Sequence, residues 1–229
     1  RVIGLDVIVA TGIDNVLFTF AIVGMIMGSI SAIRQSDIRR MIAFSSVAQI
    51  GYIFMGIGMG TDAGMLAAIF HIFSHSMSKS MLFLAAGGLA DASGNSKKFR
   101  DLRGAGFRSP IAGVAFTIGA LSMVGFPFLG GFISKINFGT AAMALSDTKM
   151  LIVMITLAIS TWLNTIYFLR TLITLYRPAL PNTNYDKEKG HRGFCFSLSC
   201  VAFAAANVAI GVFSQPIVSA IVRGLGMFA

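Results

Sequence analysis

The chain has 229 residues, of which 55% are hydrophobic and 12% charged, with a mean hydropathy of +0.80. A soluble domain carries about 25% charged residues, so this composition argues against a soluble enzyme, a disulfide scaffold and a disordered chain. The formal net charge of +9 invites a nucleic-acid reading, which fails on where the charges sit.

An all-α integral membrane chain is the class that remains. A bilayer core of about 30 Å needs roughly 20 apolar residues in a helix. Runs of that kind cover 15–33, 41–59 and 63–90, the first closed by Arg34-Gln-Ser-Asp-Ile-Arg-Arg40 and the second by Gly60-Thr-Asp62. The run 110–146 is too long for one straight helix, and Pro127, Gly130 and Gly131 interrupt it. Two more runs, 150–176 and 194–222, flank the hydrophilic stretch 177–193. Residues 1–229 therefore read as a single membrane domain of six transmembrane helices, the fourth broken near 127–131. The first residue, Arg1, begins no signal-peptide pattern, so the sequence reads as cut from a longer chain.

Counting the fourth run as one broken crossing makes the loops alternate. Loops 34–40, 91–109 and 177–193 then share a side and hold Arg34, Arg39, Arg40, Lys97, Lys98, Arg100, Arg103, Arg108, Arg177, Lys187, Lys189 and Arg192. Those are twelve of the eighteen Lys and Arg residues. The other side keeps Arg1, Lys149 and Arg223. The positive-inside rule places the three basic loops in the cytoplasm of a multi-pass inner (plasma) membrane protein. The basic charge is thereby explained as a topology signal.

Ionisable residues inside the spans are costly and face a polar interior or a pathway. His71, His75 and Lys79 are spaced i, i+4, i+8. On a helix these positions drift by only about 40° each, so the three share one stripe, roughly 6 Å apart along the axis. Ser74 and Ser78 flank that stripe and could hold bridging water. The competing reading is that each histidine simply bonds a neighbouring helix. Three aligned titratable groups favour a proton relay. Lys135 follows the break in Gly125-Phe-Pro-Phe-Leu-Gly-Gly-Phe-Ile-Ser-Lys135. A broken membrane helix frees carbonyls and amides that only protein or a water-filled cavity can satisfy, and such breaks recur at ion sites of transporters. Lys135 therefore joins the relay, against a purely structural reading in which it bridges those freed carbonyls.

Other features carry less. Asp37, Arg39 and Arg40 read as interface anchors joined by an ion pair, and Arg170 as a snorkelling anchor. Arginine does not release a proton in proteins, so neither Arg39 nor Arg40 is a relay step. The glycine patterns Gly24-xxx-Gly28 and Gly56-Ile-Gly58-Met-Gly60 permit close helix packing. Cys195 and Cys200 do not face each other on a helix and imply neither a disulfide nor a metal site. No nucleophile, nucleotide, metal or redox-cofactor motif is found, so no catalytic residue, cofactor or metal ligand is assigned.

At these residues a family resemblance becomes visible. Arg34-Gln-Ser-Asp-Ile-Arg-Arg-Met-Ile-Ala-Phe-Ser-Ser-Val-Ala-Gln-Ile-Gly-Tyr52 resembles a stretch of the antiporter-like subunits of respiratory complex I and of Mrp-type multisubunit cation/proton antiporters. His71-Ile-Phe-Ser-His75 with Lys79-Ser-Met-Leu-Phe-Leu-Ala-Ala-Gly87 is similar to the polar helix of that family. Phe116-Thr-Ile-Gly-Ala-Leu-Ser-Met-Val-Gly-Phe-Pro127 and Gly131-Phe-Ile-Ser-Lys135 resemble its broken helix. The resemblance runs from about residue 15 to residue 222, with the motifs in the family's order.

It implies about the C-terminal half of an antiporter-like fold of about fourteen helices built on inverted repeats. It also implies a proton-translocating subunit, with Lys135 matching the broken-helix lysine and His71, His75 and Lys79 matching the central polar axis. The implied partners are other membrane subunits, H⁺, Na⁺ in an Mrp-type antiporter, and the lipid bilayer; nucleic acid is not among them. The D-type Mrp subunit and its hydrogenase-associated relatives resemble the chain most, with a complex I M- or N-type subunit as the alternative. Such a subunit is not catalytic by itself and would serve an NADH:quinone oxidoreductase or hydrogenase complex. Two positions depart from the pattern: Arg39 where Lys is common, and Pro127-Phe128 where Pro-Pro is common. The first removes a titratable site and gives weight to a non-conducting scaffold subunit. A transporter of an organic solute is a further rival, but Asn137 is the one obvious substrate-shaped polar group near the break.

Overall fold

A computed structural model describes residues 4–179 and 193–226. Arg1, Lys187, Lys189 and Arg192, four of the charges used to argue topology, lie outside the described residues. The helices in chain order are α1 (Leu5–Ala10), α2 (Ile13–Ile33), α3 (Ile38–Gly58), α4 (Asp62–Asp91), α5 (Ala105–Arg108), α6 (Pro110–Val124), α7 (Gly130–Ala142), α8 (Asp147–Leu175), α9 (Phe194–Val212) and α10 (Ser214–Gly226). Among the described residues the one β-type contact is an isolated bridge between Asp37 and Lys98.

Local chemistry sets the helix starts. Asp37 caps α3, its Oδ1 accepting the backbone N–H of Arg39 at 2.8 Å and of Arg40 at 3.1 Å. The carboxylate is thus spent on helix capping, where an Asp37 ion pair with the arginines was expected. Thr61 caps α4 by accepting the N–H of Gly64 at 3.1 Å. Pro110 sits at the start of α6, where its missing N–H is no loss.

Helices α2, α3, α8 and α9 are long and apolar enough to cross a membrane by length and composition. Helix α4 has 30 residues, and its histidines, serines and Lys79 dilute its apolar character. The 110–146 run is broken as expected. Helix α6 ends at Val124, Gly125 adopts φ +96° as a left-handed cap, and α7 begins at Gly130. With 15 and 13 residues, α6 and α7 reach roughly 20 Å each at 1.5 Å per residue, so neither spans a bilayer core alone. Helix α6 starts beside the basic loops and α7 leads into α8 at the opposite end, so together they traverse the bundle once.

The run 194–222, expected as one helix, is two. Phe213 separates α9 from α10. Pro216 explains the interruption, because it has no N–H to donate to the carbonyl of residue 212 and its ring crowds that carbonyl.

The basic loops meet at one end. Ile38 N–H donates to Lys97 O at 2.9 Å and Phe99 N–H to Ser36 O at 3.0 Å, which zips loop 34–37 to the segment after α4. Arg108 ties that segment down, donating to Ala92 O at 2.8 Å, Arg103 O at 2.9 Å and Ser93 Oγ at 2.8 Å. The end of α8 joins them, with the Tyr176 ring edge-on to Phe107 at 5.3 Å. Arg170, expected as a snorkelling anchor, donates to Ile33 O at 3.0 Å and so caps α2. At the opposite end Lys149 pairs with Asp14 at 3.1 Å.

Two separate apolar clusters result. One, near the basic loops, holds Ile38, Met41, Leu82, Phe116 and Phe168. The other, towards Asp14 and Lys149, holds Phe18, Met25, Met55, Phe138 and Val153. Close backbone contacts let the helices draw together at Gly28, Gly51, Gly56 and Gly58, as small-residue packing requires. Gly24 has open space around it, and Gly60, at φ +67°, serves the α3–α4 turn.

The break itself depends on Gly131, where an added Cβ would collide with the Ser122 carbonyl of α6. Gly131→Ala is expected to destabilise by at least about 1–3 kcal/mol through overpacking. This is read as a lower thermal midpoint and less assembled complex; an unchanged midpoint would contradict the observed packing.

Candidate functional site

Between the two apolar clusters lies a layer of buried polar side chains drawn from α3, α4, α6, α7, α8 and α9. The break in α6/α7 passes through it. His71 is buried and its Nδ1 meets Ser134 Oγ of α7 at 2.7 Å. Its ring stacks on Tyr52 at 5.2 Å and on His75 at 5.9 Å, with an interplanar angle of 15° to His75. Phe138 closes the edge of the His71 ring at 5.7 Å. The two histidines therefore sit face to face, one helical turn apart. Nε2 of each is buried without a hydrogen-bond partner.

Lys79 shares their helix face, but its amine points elsewhere. Nζ donates to Ile42 O at 3.0 Å and to the Ser45 hydroxyl, both on α3, and lies 6.0 Å from the Phe168 ring centre. The stripe thus divides into a stacked histidine pair, of which His71 meets α7 and α3, and a lysine facing α3 and α8.

Lys135 reaches back across the break. Its Nζ donates to Val124 O at 2.6 Å and Met123 O at 3.4 Å. These belong to the last turn of α6, whose carbonyls lack intrahelical partners and carry the negative end of the helix dipole. Ser134 and Lys135, neighbours in sequence, therefore connect α7 to the histidine helix and to α6 respectively.

Ser74 and Ser78, expected beside the histidine stripe, have their hydroxyls turned towards the break and α9. Ser74 Oγ lies 2.9 Å from where a Gly130 Cβ would stand, against the break. Ser78 Oγ is 3.1 Å from Ser122 Oγ and accepts from Asn207 Nδ2 at 3.1 Å. Ser122 Oγ in turn accepts the Gly131 N–H at 3.3 Å. One hydroxyl chain therefore pins α4, α6, α9 and the first turn of α7 together. Pro127 lies in the connecting segment, and Phe128 beside it takes φ +70°. Gly211 of α9 gives that segment room, since a Cβ there would meet Phe128 O. Left-handed backbone in a bulky residue is strained, and it marks the break as held open by its surroundings.

Arg39 is half-buried against Gly87, and Arg40 is exposed at the rim, so both stand at the basic end outside the polar layer. Sequence reading missed several members of that layer, namely Ser45, Gln49 and Tyr52 on α3, Ser122 on α6, Ser160, Asn164 and Tyr167 on α8, and Asn207 on α9. A signal for the α8 group was present. Residues 156, 160, 164, 167 and 171 are all polar and recur at helical spacing.

Among the described residues, a helical bundle with an interrupted helix crossing a buried polar layer fits a multi-pass membrane protein. The family model described as "NADH:quinone oxidoreductase/Mrp antiporter, TM" matches residues 1–161, and the chain belongs to that family. One similar protein is an NADH-quinone oxidoreductase subunit N of Desulforudis audaxviator, 32% identical over 219 residues, covering 91% of this chain and 43% of the relative. A subunit N of Sorangium cellulosum is 28% identical, over 90% of this chain and 40% of its own length. The chain spans about two fifths of the length of these curated relatives.

Among solved structures, a chain of the membrane-bound sulfane sulfur reductase, an archaeal respiratory membrane complex, superposes with a TM-score of 0.80. It is 23% identical and covers 93% of this chain and 42% of its own. A chain of the Mrp complex from a Dietzia species gives 0.77 at 20% identity, covering 90% of this chain and 45% of its own. Both show the fold. The sequence leaning towards the D-type Mrp subunit gains no specific support, since the curated relatives above carry the subunit N name.

Proposed function

We propose that the chain is the proton-translocating part of an N-type antiporter-like subunit of an NADH:quinone oxidoreductase. The observation that carries this reading is the joining of the histidine helix to the broken helix: His71 bonds Ser134, and the next residue, Lys135, holds the freed carbonyls of α6. Protons would pass between Lys79, the stacked His75 and His71, and Lys135, with water bridging the unpartnered Nε2 atoms. Neighbouring positive charges disfavour simultaneous protonation, so occupancy of one site governs the next. The curated relatives named subunit N favour the quinone-reductase setting; Na⁺/H⁺ exchange of the Mrp type rests on fold likeness alone. Other membrane subunits of such a complex would be its partners, against the exposed apolar faces that include Phe20 of α2 and Trp162 of α8.

Lys135 tests the conducting role against a structural one. Lys135→Arg keeps a cation that does not release its proton, and Lys135→Ala removes the cation. Both replacements are expected to block proton flux in vesicles while the complex assembles. Near-normal flux in Lys135→Arg, with assembly lost in Lys135→Ala, would make Lys135 a helix cap only.

The basic end is proposed to face the cytoplasm, because positive loops are retained there. With Cys195 and Cys200 replaced, Ser96→Cys and Thr183→Cys should resist an impermeant thiol reagent applied outside intact cells. Labelling at both positions would invert the topology. Thr183 lies outside the described residues.

A further inference from the structure

Helix α8 buries a polar face that neither the histidine stripe nor the break accounts for. Thr156, Ser160, Asn164, Tyr167 and Thr171 are all buried, and their spacing places them on one side of α8. Opposite them α3 buries Ser45, Gln49 and Tyr52 at spacings of four and three. The helices run antiparallel, so the Tyr52 hydroxyl faces Ser160 and Thr161 while Ser45 faces the Tyr167 hydroxyl.

Part of this seam is satisfied internally. Thr171 Oγ1 donates to Tyr167 O at 2.7 Å, and Tyr167 OH to Asn164 Oδ1 at 2.5 Å. The remainder is not. Asn164 Nδ2, Ser160 Oγ, Tyr52 OH and Gln49 Nε2 are buried without a hydrogen-bond partner. An orphan of this kind is costly to bury, and polar groups gathered in one place are where buried waters are held.

The two ends of the seam are telling. Ser45, at one end, accepts from Lys79. Tyr52, at the other, stacks on His71. Along α4 itself the link is poor, because Lys79 turns to α3 while Ser74 and Ser78 face the break.

We infer that the α3–α8 seam is a water-filled path carrying protons between Lys79 and the histidine pair, with Asn164 positioning its waters at mid-depth. This rests on reading the chain as a proton conductor. Each water or hydroxyl along the seam accepts a proton on one side and releases one on the other, so none changes its net composition. The Asn164 amide does not take up the proton; it orients the waters that do.

The test uses the whole complex in vesicles, with flux compared at equal assembly. Asn164→Leu fills the site with an apolar group of similar size and is expected to lower proton flux by about tenfold, the equivalent of roughly 1.4 kcal/mol on the barrier. Asn164→Ser, which leaves a hydroxyl and room for water, should restore most of it. Ser160→Ala should lower flux in the same direction and decides the matter if Asn164→Leu fails to assemble. Radiolytic hydroxyl labelling read by mass spectrometry should mark Tyr52 in the native complex and spare it in Asn164→Leu. Native flux in both Asn164→Leu and Ser160→Ala, or an unlabelled Tyr52 in the native complex, would overturn the seam. His75→Ala separates the two failures. If it blocks flux while the seam variants do not, the seam alone is wrong; if it conducts normally, the conducting reading is wrong.

Discussion

A polar atom held away from water must find a partner, and the architecture of this chain follows from that demand. Apolar side chains fill both ends of the bundle, around Ile38 and Phe116 at one end and Phe18 and Phe138 at the other. Between them histidine, lysine, serine, asparagine and tyrosine are buried. Such a layer is tolerable only where its groups bond one another or hold water. Interrupting α6/α7 inside the layer adds freed backbone groups to the demand, and Lys135, Ser122 and the glycines at 130, 131 and 211 answer it. The break is therefore a fixed feature built by its neighbours.

Charge at the two ends serves this core without entering it. Arg170 and Arg108 spend their donors on carbonyls at helix ends and in the loop after α4, and Asp37 caps α3. At the far end Asp14 and Lys149 join α2 to α8, with the Lys149 amine 5.3 Å from the Phe18 ring centre. The groups proposed to carry protons are those of the central layer, where a stacked histidine pair has a lysine on each side along the path. One lysine bonds α3 and the other bonds the end of α6. Both bonds end on neutral oxygens, so a proton leaving either amine breaks no ion pair.

Much of this was legible in the sequence, for physical reasons. His71, His75 and Lys79 stand out because titratable groups are rare in apolar runs, and Pro127, Gly130 and Gly131 because they deny the helix its regular bonds and bulk. The basic loops were legible as charge alone. Where Lys79 sends its amine was not legible, since four flexible bonds separate its charge from its helix position. The α3 and α8 members escaped because serine, asparagine and tyrosine barely disturb an apolar average, although their spacing on α8 was there to be read. Pro216 was hidden inside an apolar run, so the division of α9 from α10 went unseen. Asp37 looked like an ion-pair partner because its role as a cap depends on backbone N–H groups that composition does not display.

The central claim is that the layer between the apolar clusters is wet and continuous from Lys79 to Lys135. The most direct measurement is an experimental density map of the assembled complex at a resolution that shows ordered water. The account predicts waters bonded to His71 Nε2, His75 Nε2, Tyr52 OH and Asn164 Nδ2, linking the histidine pair to both lysines. A layer in which these atoms bond one another directly, with no water between Lys79 and Lys135, would contradict it.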